Sequence, residues 1–457
     1  MRLFPQDERG VSERRGQMSK RPNILLIITH DTGRHIGCYG RSAATPQLDR
    51  LAEQGVLFEQ AFCTAPQCSP SRASIITGRW PHNNGMTGLA HRGFRLNEDE
   101  KTLPAILAAA GWTTHLFGFQ HEAPDPVELG YTNVHQDRQH GHSCVHVAPK
   151  VKEFLQSRPD ESFFASVGFS ETHRPYPRGG APLDSVKPPP YLPDHPLVRQ
   201  DVVDLEVLVR RVDTAVGEII AALDASGLAD NTLVIFTTDH GIAFPRAKAT
   251  LFDPGVETAL LMRFPDGGRA GKRIDAPVIN MDIFPTVLEF AGVDLPAGVQ
   301  GESLFPLIRG RKRSLHEELF FELTCHAAYD PMRAVRTSRF KYIRSYVERP
   351  FAVPPNVDAG HAKELVKSLG WFTVPRPKEQ LYDLRDDPCE LCNVAGREEY
   401  AKALGECRRM LEDWMRETDD PLVEGGVPLG RPVKITPHDA YDPAERVADV
   451  AHDVVPN

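Results

Sequence analysis

Four short apolar runs, separated by segments with helical character, constrain the fold of this chain more than any other feature. The runs cover Asn23–Thr29 and residues 113–117, 163–169 and 233–238, and helical patterns lie between them at 46–54, 103–110 and 202–226. Strands that are apolar on both faces need cover on both faces, and alternation of strands with helices favours parallel pairing. We therefore predict an α/β fold with a large mixed, mainly parallel sheet flanked by helices.

Near residue 315 the pattern changes to shorter strand-like runs. These cover 318–323, 333–336 and 341–346, and a helical pattern follows at 398–417. They predict a smaller C-terminal antiparallel sheet with one packed helix. A chain of 457 residues, 41% of them hydrophobic, exceeds the usual size of one domain. The predicted division is a disordered N-terminal tail at 1–20, an α/β domain at 21–314, an α+β subdomain at 315–420 and an irregular tail at 421–457.

Composition excludes several classes of partner. The formal net charge of −9 provides no overall basic face, so we expect no nucleic acid partner. The first 20 residues lack the apolar centre of a secretory signal, and no apolar run is long enough to cross a bilayer. We therefore expect a cytoplasmic protein with no membrane partner. Eight cysteines in so long a chain are expected to be mostly reduced, and the oligomeric state stays open, with a dimer as one option.

Residues 68–72, with the sequence Cys-Ser-Pro-Ser-Arg, have the character of a helix start. Pro70 suits the first turn, where its missing N–H costs nothing, and the free amides there direct the positive end of the helix dipole towards Cys68. Arg72 lies four residues on, so a helical turn returns its guanidinium to the side of the cysteine. The segment predicts an anion site. The alternative is a buried cysteine beside a surface arginine.

Two polar segments directly follow predicted strands. Asp31 follows the first strand, and Asp239 and His240 follow the fourth. A single aspartate after a strand is usually a turn or cap residue. Because parallel strands end at the same edge of a sheet, however, these side chains are expected to converge. Their convergence would create a metal site.

Residues 68–72, continued by Thr77, Gly78 and Arg79, resemble the signature of the sulfatases, a family of the alkaline-phosphatase-like superfamily. The resemblance extends from about Arg21 to residues 381–384, with the motifs in the family's order. In that family the cysteine is oxidised after translation to formylglycine, whose hydrated aldehyde supplies the nucleophilic oxygen. The resemblance thus implies that Cys68 is a precursor, that a formylglycine-generating maturation enzyme is a partner, and that the substrate is a small sulfated molecule, such as a sulfated sugar.

The resemblance also implies one divalent metal, held by Asp31, Asp239, His240 and the oxygen derived from Cys68. Ca²⁺ is the family's usual ion. Many sulfatases have two consecutive aspartates where this chain has His30 and Asp31, and asparagine is common where this chain has His240. The lost carboxylate and the added nitrogen move the preference towards Mn²⁺ or a related ion, with Ca²⁺ and Mg²⁺ still open. His30 is either a ligand or a hydrogen-bond partner of Asp31.

Four further side chains take catalytic roles by the same resemblance. Arg72 and the metal would lower the cost of an alkoxide that attacks sulfur in line. Lys248 would contact the sulfate and the leaving-group oxygen, and His173 would protonate the departing group. His121 would act as the base when the sulfated hydrate collapses and the aldehyde reforms. For Lys248 and His173 the alternatives are a solvated loop lysine and a loop histidine.

Phe119 is the clearest departure from the family pattern, because it replaces the lysine of a Gly-Lys-x-His segment. A phenyl ring cannot hold the hydrate's hydroxyl, so this replacement is expected to affect turnover rate and sulfate specificity. Asn84 corresponds to a polar family position, but Asn-Gly is also an ordinary turn dipeptide. A group of side chains without paired cysteine spacing is interpreted as surface or substrate-rim material in an insertion loop. It comprises His135, His140, His142, Cys144 and His146.

Residues 239–245, with Pro254 and Gly255, most resemble the N-sulfoglucosamine sulfohydrolase (heparan N-sulfatase) branch, which suggests a sulfated or N-sulfated amino sugar. His326 and Arg333 are then candidates for the substrate rim. Two alternatives stay open. The same motifs resemble phosphonate monoester and phosphodiester hydrolases that use the same converted cysteine. The missing aspartate and Phe119 would also suit a non-catalytic anion- or glycan-binding homologue.

Overall fold

The structure of the chain, a computed structural model, describes residues 21–137, 139–265, 267, 269–427, 429 and 431–450. The predicted disordered tail at 1–20 and the last seven residues of the predicted irregular tail lie outside the described residues. All eight cysteines are within them and all are free thiols.

An eight-stranded sheet lies at the centre of the molecule. The strands of this part are β1 (Asn23–Thr29), β2 (Val56–Phe58), β3 (Ala61–Phe62), β4 (Thr113–Gly118), β5 (Asn133–His135), β6 (Phe163–Gly168), β7 (Thr232–Thr238), β8 (Glu257–Thr258), β9 (Leu260–Arg263), β10 (Lys272–Ile274) and β11 (Val278–Ile279). The order is β10-β2-β9-β7-β1-β6-β4-β5, and β11-β3-β8 form a small separate sheet. In the large sheet only β9 pairs antiparallel to its neighbours. The predicted mixed, mainly parallel sheet is confirmed.

Helices cover both faces of this sheet. The helices of the chain are α1 (Pro46–Gln54), α2 (Cys68–Thr77), α3 (Pro81–Asn84), α4 (Leu103–Ala109), α5 (Cys144–Gln156), α6 (Pro196–Ser226), α7 (Asp253–Val256), α8 (Ile283–Ala291), α9 (Phe305–Ile308), α10 (His361–Ser368) and α11 (Ala401–Glu417). Leu25 and Ile27 of β1 pack with α1, α5 and α6. Ile24, Leu26 and Ile28 point to the other face and pack with α2, α4 and α8. Both faces of β1 are therefore buried, which explains its continuous apolar sequence. None of the described helices is both long and apolar enough to cross a bilayer.

Helix α6 begins six residues before its predicted start. Pro196 takes the first helical position, and the Nδ1 atom of His195 accepts a hydrogen bond from the amide of Leu197 at 3.2 Å. A proline at that position needs no donor, and an N-terminal cap satisfies one of the first amides. The proline-rich segment before it contains only a short 3₁₀ helix at Leu183–Ser185.

A second, antiparallel sheet follows in the C-terminal part, as predicted. Its strands are β12 (Leu319–Cys325), β13 (Tyr329–Arg336), β14 (Phe340–Ser345) and β15 (Glu379–Asp383), paired in that order, and α11 packs against it. Helix α10, which the sequence did not predict, returns to α6 and buries Ala362 there. Beyond Asp420 lie a 3₁₀ helix at Pro421–Glu424 and a ladder of β16 (Val433–Ile435) with β17 (Ala448–Val450), more regular structure than the composition indicates.

Four polar side chains are buried between α3, the second sheet and the segment after α11, and we call them the junction cluster: His82, Glu322, Arg333 and Asp420. Arg333 is fully buried and lies 2.5 Å from Asp420 through Nε and 3.3 Å from Glu322 through a terminal nitrogen. Its other terminal nitrogen donates to the carbonyls of Leu323 and Met332. The expectation that Arg333 lies on the substrate rim is therefore wrong, because its guanidinium is buried and paired with Glu322 and Asp420.

Candidate active site

The ends of β1 and β7 bring two aspartates together. The strands are parallel neighbours with Thr29 opposite Thr238, so the residues that follow them meet at the same edge of the sheet. The amide of Asp31 donates a 2.9 Å hydrogen bond to Oδ1 of Asp239. Asp31 has a φ of 56°, a left-handed conformation that aspartate tolerates better than most residues. This turn directs its carboxylate towards the start of α2.

Helix α2 begins at Cys68 and is buried along its whole length. Arg72 donates from Nε to Oδ2 of Asp239 at 3.0 Å and from a terminal nitrogen to the carbonyl of Thr29 at 3.2 Å. Ser71 donates to the backbone carbonyl of Asp239 and accepts from the side chain of Asn280 at 2.8 Å. The helix start is therefore fixed against the ends of β1 and β7. The alternative of a surface arginine does not hold.

Five side chains surround one point at this helix start, and we call them the floor cluster: His30, Asp31, Cys68, Asp239 and His240. Their nearest ligand atoms all lie within 4.8 Å of one another, and all five residues are buried. The Sγ atom of Cys68 is 2.8 Å from Nε2 of His30 and 3.4 Å from Nε2 of His240. The structure thus brings together every residue predicted to hold the metal, and it places His30, for which the sequence left two roles open, in the same group.

The donor set of the floor cluster fits a divalent cation. Burial raises the pKa of Asp31, but Lys248 and nearby histidines outweigh this, so that the net shift is downward and the carboxylate is ionised. Burial lowers the pKa of His30 well below its usual value, which leaves a neutral ring with a free lone pair. Two carboxylates and two imidazoles that converge in a buried space provide charge and donor atoms for one metal ion.

Lys248 is buried beside this cluster. Its Nζ atom lies 2.8 Å from Oδ2 of Asp31 and 3.0 Å from Oδ2 of Asp358. Burial alone would lower its pKa, but the two carboxylates raise it well above the usual value. Lys248 is therefore a charged ammonium inside the site, and the solvated loop lysine is ruled out. Sequence reasoning missed Asp358, because no motif or strand end marks it.

His173 lies at the opening of the site. Its Nε2 atom is 4.0 Å from Oδ2 of Asp31, and 41% of its side chain is exposed. Nδ1 lies 2.6 Å from the carbonyl of Arg174, which orients Nε2 towards the floor cluster. Arg174 is itself held by a bidentate pair with Asp201, at 2.9 and 3.2 Å. His173 is thus a positioned site histidine, open to a bound molecule.

Phe119 and His121 form the opposite wall. The ring of Phe119 stacks on His30, with centroids 4.8 Å apart, and lies 5.0 Å from the guanidinium of Arg72. His121 packs edge-on against Phe119 and pairs with Nδ1 of His91 at 2.8 Å. Burial lowers the pKa of His121 well below its usual value, so the ring is neutral.

Other sequence candidates lie outside the floor cluster, but His326 is close enough to Lys248 and Asp358 for their charges to act on its pKa. Asn84 bonds to Thr77 and to the amide of Met86, which makes it a turn residue. His326 is buried, and burial together with Lys248 lowers its pKa to about 3. The histidine-rich group is not an insertion loop as expected, since α5 starts within it at a buried Cys144. Its members have several different contacts: His135 pairs with His115, and His140 pairs with Asp137 and packs on His146. The ring of His142 lies 6.0 Å from that of Phe119.

Comparison with known proteins gives consistent matches. Residues 22–293 match the family model described as Sulfatase, and residues 241–352 match N-sulphoglucosamine sulphohydrolase, C-terminal. Human N-sulphoglucosamine sulphohydrolase is 31% identical over 461 residues, 88% of this chain and 91% of that protein.

Two solved structures share the fold. One, a complex with the substrate D-glucosamine-2-N,6-O-disulfate, has a TM-score of 0.70 at 22% identity and covers 88% of this chain and 99% of its own. The phosphonate monoester hydrolase of Agrobacterium radiobacter has a TM-score of 0.71 at 22% identity, over 87% and 96% of the two chains. At these identities they support the fold alone.

Proposed function

This chain belongs to the sulfatase family of sulfuric ester hydrolases, and we propose that it removes an O-sulfate or N-sulfate group from a sulfated amino sugar. The observation that carries the proposal is the floor cluster, in which two carboxylates and two imidazoles surround Cys68 at the start of a fixed helix. A buried thiol alone would be a poor nucleophile here, because burial raises the pKa of Cys68 well above its usual value. Conversion of Cys68 to formylglycine would replace this poor thiol nucleophile, since the hydrated aldehyde supplies an oxygen nucleophile.

We infer that one divalent metal is held by Asp31, Asp239, His240 and the oxygen of residue 68, with His30 as a further nitrogen donor. When bound, the metal supplies Lewis acidity, which favours a deprotonated oxygen and polarises the ester. Arg72 holds Asp239 in place and adds positive charge beside residue 68. Two nitrogen donors favour Mn²⁺ or a similar ion over Ca²⁺, the family's usual ion, and Mg²⁺ is a further option.

The cations and histidines around the floor cluster suit departure of the sugar. Lys248 would balance charge on the sulfate and on the leaving oxygen or nitrogen, because its ammonium is buried and already ionised. His173, exposed at the opening and directed towards Asp31, would give a proton to the leaving group. His121, which packs against Phe119, would accept the proton released when the nucleophile is regenerated, which is the role of the matching histidine in the family.

The amino sugar as substrate is supported by the C-terminal half of the chain. The family model for the C-terminal part of N-sulphoglucosamine sulphohydrolase matches residues 241–352, a range that includes Lys248 and His326. The human relative named for the same substrate is similar over nearly the whole chain. Residues at the rim of the site, rather than the fold, decide the substrate, so this part of the proposal needs its own test.

The test uses protein co-expressed with a formylglycine-generating enzyme and reconstituted with Mn²⁺ or Ca²⁺ in turn. Mass spectrometry of the peptide that contains Cys68 should show the aldehyde, and the protein should release sulfate from N-sulfoglucosamine or glucosamine 6-sulfate, while Cys68→Ala should not. Faster turnover of a phosphonate monoester than of any sulfate would instead support the phosphonate hydrolase. An unmodified Cys68 with sugar binding but no turnover would support the non-catalytic homologue.

A further inference from the structure

We propose that Asp358 selects the substrate, by accepting a hydrogen bond from a hydroxyl or ammonium group next to the scissile sulfate and by excluding a second anionic group at that position. This inference rests on the proposed function, because it assumes that a sulfated sugar occupies the site. It assigns to the C-terminal part of the chain a residue that contacts the leaving sugar.

The position of Asp358 relative to Lys248 carries the inference. The Nζ atom of Lys248 bridges Oδ2 of Asp31 and Oδ2 of Asp358, at 2.8 and 3.0 Å. The carboxylate of Asp31 belongs to the fully buried floor, whereas the side chain of Asp358 is 17% exposed. Asp358 therefore lies on the outer side of the ammonium, where the leaving group of a bound ester would extend.

Asp358 is held rigidly by the segment that precedes it. The Oδ1 atom of Asn356 accepts hydrogen bonds from the amides of Ala327 and Ala328, at 3.0 and 2.8 Å. The Nζ atom of Lys363, in α10, donates to the carbonyl of Val357 at 2.8 Å. These contacts anchor the segment to the turn between β12 and β13 and to α10. A side chain so placed contributes to specificity without a large loss of conformational entropy on binding.

The charge of Asp358 decides what it can recognise. Burial raises the pKa of this carboxyl, but Lys248 and His326 outweigh that effect and hold it below its usual range. An ionised carboxylate only accepts hydrogen bonds, so it pairs with hydroxyl or ammonium donors. A sulfate or carboxylate group placed against it would meet like charge in a partly buried site. The substrate class is therefore a sulfated sugar with a free hydroxyl or amine beside the scissile group.

The experiment compares Asp358→Asn with the parent enzyme on three substrates. These are N-sulfoglucosamine, the same sugar with a second sulfate on the neighbouring O3, and p-nitrophenyl sulfate, which has no donor. We expect kcat/KM for N-sulfoglucosamine to fall about 10- to 100-fold, as for loss of a hydrogen bond to a charged group. Activity on the doubly sulfated sugar should rise, and activity on p-nitrophenyl sulfate should change less than about 3-fold. The matched control is Asp230→Asn, an exposed aspartate before β7, at the opposite edge of the sheet.

Equal losses on all three substrates would overturn the inference, because they would show that Asp358 only positions Lys248. If the parent enzyme with verified formylglycine hydrolyses no sulfate, the proposed function fails instead. Calorimetric titration of Cys68→Ala and of the Cys68→Ala, Asp358→Asn double variant with N-sulfoglucosamine separates these cases. Weaker binding to the double variant supports the contact, and unchanged affinity refutes it. Matching circular dichroism spectra confirm that the variants fold.

Discussion

The floor cluster and the junction cluster are both buried groups of charged side chains, yet they are built on opposite principles. In the junction cluster, Arg333 satisfies both carboxylates, and all three of its nitrogens donate to the protein. In the floor cluster, five potential ligand atoms, one from each member, lie within 4.8 Å of one another, and no described side chain outside the cluster lies between them and Cys68 in the way that Arg333 lies between the carboxylates of the junction cluster. The burial of charge therefore does not identify a functional site. Five ligand atoms directed at one common space, against three in the junction cluster, are the better sign.

The largest effect that tests this comparison is expected from Asp31→Asn. Loss of a carboxylate from the floor cluster should lower kcat/KM on a sulfate ester by at least about 10⁴-fold, or about 5.5 kcal/mol of transition-state stabilisation. The free energy of unfolding should change by no more than about 1 kcal/mol, because Lys248 keeps Asp358 as a partner and asparagine tolerates the left-handed backbone. Steady-state kinetics and urea unfolding measure the two quantities. A large loss of stability with activity retained would show that Asp31 has a structural role and not a catalytic one.

Arg333→Ala should give the reverse result. Removal of the guanidinium leaves Glu322 and Asp420 buried without their main partner, which should cost about 3–5 kcal/mol in the free energy of unfolding. The catalytic rate per folded molecule should stay close to that of the parent, since Arg333 is fully buried within the second sheet. Urea unfolding, with activity corrected for the folded fraction, provides the check. A selective loss of activity would mean that the junction cluster also shapes the active site.

The floor cluster could be anticipated from the sequence because each member follows a strand end or opens a helix. The apolar runs predicted a mainly parallel sheet, in which the residues after the strands lie at one edge. The structure adds that β1 and β7 are neighbours, which brings Asp31 and Asp239 together. The motif that begins at Cys68 predicted the remaining member of the cluster, at the start of a helix. Local patterns of this kind predict position because backbone geometry leaves few alternatives.

The junction cluster and Asp358 could not be anticipated in this way. Arg333 lies in a strand of the second sheet, and its burial depends on carboxylates at Glu322 and Asp420, which only the tertiary fold brings near. Asp358 reaches Lys248 from 110 positions along the chain, in a segment without periodicity, because Asn356 and Lys363 anchor it. Contacts between distant, irregular segments leave no signature in the spacing of residues.

A third buried group, at Asp253, Lys341 and Glu390, should give stability a pH dependence. Burial and the neighbouring charge of Asp253 raise the pKa of Glu390 from 4.5 to about 8. Between these values the folded protein keeps a proton that the unfolded chain releases, so stability is full below pH 4.5 and falls as pH rises to about 8. The slope should be no more than about 1.4 kcal/mol per pH unit, and Glu390→Gln should remove it. Urea unfolding of the parent and of Glu390→Gln from pH 5 to 8 measures the two slopes. A parent curve as flat as that of the variant would contradict the raised pKa of Glu390.

The smallest effect is expected at an exposed pair, Arg344 with Glu412, which completes the comparison. The two side chains approach to 2.9 Å, as close as many buried pairs, but they are 29% and 40% exposed. Because water screens the charges and the side chains lose entropy on pairing, Glu412→Gln should cost less than about 1 kcal/mol. The loss should shrink further in high salt, whereas that of Arg333→Ala should not. If Glu412→Gln were as costly as Arg333→Ala in urea unfolding, distance rather than burial would set the strength of ion pairs in this fold.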